Sequence, residues 1–150
     1  MAFSRRGACT VLASAAFVVM TAGCSTVTSN TSTLTASLTP DQENPATSSV
    51  GKGTAKVWYN KDTNGLRWEV EYSGLTGPAT AGHFHGPAAP GANAGVVVPF
   101  KSPLEYPVIK GEAVITPAQG EQLLAGLWYI NLHTQKYPGG EIRGQVVLKR

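Results

Sequence analysis

The chain has 150 residues, room for one domain, with 12 basic and nine acidic residues and a formal net charge of +3. Arg5 and Arg6 belong to a segment that reads as an export signal; without them ten basic residues face nine acids, a net charge of +1. No Lys/Arg cluster remains, which excludes the electrostatic footprint of a nucleic-acid binder.

Residues 1–23 have the layout of a signal peptide: Arg5 and Arg6, an apolar run from Ala8 to Met20, then small residues. The run is too short for a permanent membrane span. Thr21-Ala22-Gly23-Cys24 resembles a bacterial lipobox, with Thr21 where leucine is usual. Cys24 is therefore the expected lipidation site, and a lipid-anchored, extracytoplasmic place in a bacterial cell envelope the expected location. Ser4-Arg5-Arg6 hints at twin-arginine export, but Gly7-Ala8-Cys9 continues it poorly and ordinary export fits better. Cys9 and Cys24 are the only cysteines, Met1 and Met20 the only methionines. The mature domain then has no disulfide and no soft sulfur ligand.

Ser25 to Thr33 is polar and reads as the end of a flexible tether over 24–33, with the domain following over 34–150. Leu34, Ala36 and Leu38 alternate with polar residues, a first strand expected at a sheet edge. A loop rich in turn residues runs from Thr39 to Lys52. Gly53–Asn60 and Leu66–Tyr72 flank Asn64-Gly65, the signature of a β-hairpin. Extended segments are expected around His83 and His85, at Gly95–Phe100 and at Val108–Ile115. Thr116 as N-cap, Pro117 in the first turn and Gln119 in a capping box predict a short helix ending near Gly126. Leu127 to Leu148 then reads as a second hairpin, with Trp128, Ile130 and Leu132 facing a core. About eight short strands and one small helix give an all-β, antiparallel sandwich.

His83 and His85 form a His-x-His pair, so both rings share one strand face. His133 lies on the face of its strand opposite Trp128, Ile130 and Leu132. The motifs AGHFHGPA (81–88), YINLHT (129–134) and PGGEIRGQ (138–145), with Glu43-Asn44-Pro45, Tyr72–Gly77 and Gly91–Gly95, are similar to the CHRD domain. That module is repeated in chordin and found singly in many bacterial secreted proteins. The resemblance covers about Leu34 to Leu148. It implies a Greek-key sandwich in the immunoglobulin or Cu/Zn superoxide dismutase style, and binding rather than catalysis.

Three imidazoles suit one Cu(II) or Zn(II) ion, making His83, His85 and His133 the candidate metal ligands. The plain alternative leaves the histidines structural and the domain a protein-interaction module with a protein partner. Affinity for a metal is expected to fall as pH drops through the histidine range near 6.5. Glu141 and Arg143 share a strand face and admit two roles. They stand behind the histidines, with Glu141 orienting one of them or ligating the ion directly, or they form a cross-strand charge pair with Glu69 or Glu71. Three histidines are too few for a binuclear Cu/Zn site, and no nucleophile-elbow serine is present, so the chain is expected to be a non-enzymatic monomer.

Overall fold

A computed structural model of the chain describes Met1 and residues 30–149. The signal segment and Cys24 lie outside the described residues. Nine strands are present among those described: β1 (Thr31–Leu38), β2 (Lys52–Asn60), β3 (Gly65–Ser73), β4 (Ala79–His85), β5 (Val96–Pro99), β6 (Val108–Val114), β7 (Tyr129–Thr134), β8 (Ile142–Gln145) and β9 (Val147–Leu148). One α-helix, α1 (Pro117–Leu124), precedes β7, and a single 3-10 turn spans Pro40–Gln42 after β1. The strands form two antiparallel sheets, a five-stranded one ordered β6-β3-β2-β1-β9 and a four-stranded one ordered β5-β4-β7-β8. In the first sheet β9 returns by a long connection to lie beside β1, which gives β3-β2-β1-β9 the Greek-key form.

Alternation builds the core as the sequence implies. Leu34, Ala36, Leu38, Val57, Leu66, Trp68 and Val70 from one sheet meet Phe84, Ile130, Leu132 and Ile142 from the other, all buried. Trp68 sits at the middle of the interface, edge-on to Phe84 at 5.2 Å and stacked on Phe100 at 5.1 Å. Such aromatic pairs add to the area they bury. The β2–β3 hairpin closes through Asn64 at φ 55, the left-handed conformation that Asn tolerates. Helix α1 has the reciprocal capping box of Thr116 and Gln119, and Gly126 follows it at φ 74.

Three details differ from the sequence reading. β1 begins at Thr31, three residues before the expected start of the domain, with Thr31–Thr33 paired to Asn60–Trp58. Threonine is polar but β-branched, and suits a strand whose outer face is wet. β1 is also not an edge: β9 pairs with Leu34 and Thr35 on its free side. The last hairpin strand divides at Val146, with β8 on β7 and β9 in the other sheet. Val146 is fully buried at the crossing, so the alternation continues through the switch and hides it.

One further feature positions the site. β7 is buried on both faces along its whole length. The inner face meets the core; on the outer face the 135–140 turn bonds His133, and the 86–95 loop, with the 39–51 loop beside it, bonds Tyr129. The two loops are tied to each other by Asn44 Nδ2 to the Gly91 carbonyl and Asn93 Nδ2 to the Asn44 carbonyl.

A candidate metal centre on the outer face of the second sheet

β4 and β7 are neighbours, with His83 opposite Asn131, His85 opposite Tyr129 and His133 opposite Ala81. Because the side chains alternate, His83, His85, Tyr129, Asn131 and His133 all rise from the outer face. One nitrogen from each of His83, His85 and His133 lies within 4.8 Å of the other two. His83 Nδ1 is 3.0 Å from His133 Nε2. In a tetrahedral site, ligands about 2 Å from the ion stand about 3.3 Å apart. The cluster is a little wider than that at its broadest.

The other ring nitrogens are already assigned. His85 Nδ1 lies 3.0 Å from the Ala94 carbonyl and His133 Nδ1 lies 2.9 Å from the Pro138 carbonyl. A carbonyl only accepts, so both Nδ1 atoms carry hydrogen and donate. In the neutral rings both Nε2 atoms therefore present lone pairs, and both point to Asn131 Oδ1 at 3.0 Å. Burial first, and then the neighbouring His133 and His85, push the His83 imidazole down to about 4. Burial also lowers His133, against the opposing hydrogen bond to Pro138. His85 and His133 are buried and His83 is partly exposed, which leaves the cluster one solvent-facing side.

Such a donor set fits a borderline divalent transition metal: three imidazole nitrogens, two with their second nitrogen anchored to backbone. A family model for the CHRD domain matches residues 34–146. The chain belongs to the CHRD domain family. No curated protein and no solved structure matches it. In this CHRD domain all three histidines fall inside the matched span, on the two central strands of one sheet.

Glu141 and Arg143 have separate surroundings: the Glu141 carboxylate lies against Ser49, Thr76 and Thr134, whereas Arg143 stacks on Tyr129 beside the histidines, and neither bonds a histidine directly. Glu141 is fully buried and accepts hydrogen bonds from Ser49, from Thr134 and from both the backbone N–H and the hydroxyl of Thr76. Burial alone would raise its carboxyl, but those hydrogen bonds outweigh burial and lower it. It holds the 39–51 loop and the turn after β3 against β7, and no hydrogen bond joins it to a histidine. Arg143 donates to Asn93 Oδ1 and to the Ala92 carbonyl, in the loop whose Ala94 carbonyl holds His85. Neither residue meets Glu69, which pairs with Lys110 at 3.0 Å on the other sheet.

Sequence reasoning passed over Asn131 and Glu43 as functional positions. Asn131 carried one usable signal, its place two residues before His133 on the same strand face. Glu43 is buried under Gly140 with Oε1 lacking a hydrogen-bond partner, which only the folded loops reveal.

Proposed function

We propose that this CHRD domain is a non-enzymatic, lipid-anchored extracytoplasmic protein that binds one Cu(II) or Zn(II) ion through His83, His85 and His133. The observation that carries the reading is the pair of backbone carbonyls behind His85 and His133. Metal-ligating histidines characteristically donate their second ring nitrogen to such a group, which fixes the tautomer and the ring's direction. Here the fixed tautomers aim two lone pairs at one spot, beside the His83 ring. The neutral His83 ring supports the same reading, because protonated imidazole cannot ligate.

The tag-free protein, titrated with Zn(II) and Cu(II), should take up one ion per chain. His→Ala at 83, 85 or 133 should each weaken binding by at least about 10-fold while far-UV circular dichroism stays unchanged. A wild-type protein that takes up no stoichiometric metal would return the histidines to a structural role in a protein-interaction module. The anchor is tested separately: Cys24→Ala should leave an uncleaved or unlipidated precursor, and a variant that is processed and partitions like wild type would overturn it.

A further inference from the structure

We propose that Asn131 is the fourth metal ligand, through Oδ1, and that the site is a closed set of three nitrogens and one oxygen. The inference rests on the three-histidine reading and goes beyond it by filling the remaining position. Asn131 is 3% exposed, lies opposite His83 on β4 and opposite Arg143 on β8, and points from the same face as the histidines. Its Oδ1 is 3.0 Å from His85 Nε2 and 3.0 Å from His133 Nε2.

Lone pairs converge at this point. Both Nε2 atoms present lone pairs, because their Nδ1 hydrogens are committed to Ala94 and Pro138. A carboxamide oxygen also has only lone pairs to offer. Acceptors at hydrogen-bond distance with no hydrogen between them repel, and a cation at their centre turns that repulsion into coordination. Turning the amide over would aim its two hydrogens at the two Nε2 atoms. His133 Nε2, however, has one in-plane lone pair, and His83 Nδ1 already faces it at 3.0 Å. One lone pair would then serve two donors. A single ion satisfies His83 Nδ1, His85 Nε2, His133 Nε2 and Asn131 Oδ1 together.

The chemical consequence is specific. Four protein ligands leave no open position for an activated water, the arrangement of structural rather than hydrolytic sites. The site holds its ion and does not use it to cleave anything. All four ligands are neutral, and the amide oxygen favours a borderline divalent ion over a soft monovalent one.

Co(II) is the probe, since its visible bands are strong in four-coordinate sites and weak when water raises the coordination number. Wild-type protein with one equivalent of Co(II) should give the strong four-coordinate spectrum. Asn131→Ala puts a water in the fourth place, and should shift the bands and lower Co(II) affinity by about 10–100-fold. Asn131→Asp keeps an oxygen in place and should retain the four-coordinate spectrum. If Asn131→Ala fails to fold, the Asp variant decides, and loss of the strong bands there overturns the proposal. An Asn131→Ala protein with unchanged spectrum and affinity removes Asn131 from the ligand set while the three histidines stand. A wild-type protein that binds no Co(II) overturns both readings.

Discussion

The guanidinium carbon of Arg143 stands 3.4 Å from the centre of the Tyr129 ring. Tyr129 is in turn stacked on His85, with ring centres 4.8 Å apart and planes 2° from parallel. β4 supplies the histidine, β7 the tyrosine and β8 the arginine, so three adjacent strands carry one continuous stack. Arg143 also grips the 86–95 loop through Ala92 and Asn93, and that loop supplies the carbonyl on His85. Cation, aromatic ring and candidate ligand are therefore one mechanical unit.

Arg143→Lys should expose that coupling. Lysine keeps the charge but lacks the planar fork that reaches Ala92 and Asn93 together. The variant is expected to lose about 2–3 kcal/mol of stability and about 10-fold in Zn(II) affinity. Urea unfolding and a competition titration measure the two. Lost stability with wild-type affinity would show that the loop does not position His85.

Trp68→Ala should cost roughly 3–5 kcal/mol, because Trp68 is packed between Phe84, Phe100 and the strand carrying Gly111. Glu69→Ala should cost under about 1 kcal/mol, since its pair with Lys110 is largely solvated. Denaturant midpoints of the two variants check the ordering, and the reverse order would contradict the assignment of the β3 faces.

Much of this fold was legible because its strands alternate cleanly. Leu66, Trp68, Val70 and Tyr72 announce an inner face, Asn64 the hairpin, and Thr116 with Gln119 the helix start. Pairing His83, His85 and His133 followed from alternation and from the family motifs. What stayed hidden depends on chain returning from far away. Tyr129, Asn131 and His133 form the face opposite the core until the 86–95 loop and the 135–140 turn fold onto it. Glu141 reads as a partner of a histidine or of a charge across the strands, and its actual partners at Ser49 and Thr76 lie 92 and 65 residues away. The sheet switch at Val146 leaves no mark, since Ile142, Val146 and Leu148 keep one rhythm.

Glu43 should make stability depend on pH. Burial pushes its carboxyl from 4.5 up to about 7, against the pull of Arg143 and of the Asn44 N–H. The folded state thus binds more protons than the unfolded state. The contribution is complete below about pH 4.5 and is lost as pH rises through 7. Glu43→Gln keeps the shape without the charge, and should stabilise the protein at pH 8 by about 1–2 kcal/mol after allowance for solvent screening. At pH 4 it should change little. Urea midpoints at both pH values decide it, and a less stable variant at pH 8 would mean that Glu43 is charged and well paired.

His83 should behave in the opposite sense. Its folded value of about 4 lies below the ordinary 6.5, so the unfolded chain binds more protons between those values. Its contribution is complete above about pH 6.5 and lost as pH falls toward 4. Burial and the two neighbouring rings thus move the pH at which protonation of His83 would compete with a metal below the ordinary 6.5. Carbon chemical shifts of the His83 ring should stay at neutral values from pH 8 to 5 and move only below that. A midpoint near 6.5 would mean that the ring is solvated and free.

The central claim is that three named ring nitrogens share one ion, and imidazole ¹⁵N spectra during a Zn(II) titration test it most directly. Before metal, His85 and His133 should both show hydrogen on Nδ1 and a lone pair on Nε2. At one equivalent, His85 Nε2, His133 Nε2 and His83 Nδ1 should all move to metal-bound positions together and then stop. Shifts at one histidine alone, or none up to several equivalents, would contradict the account.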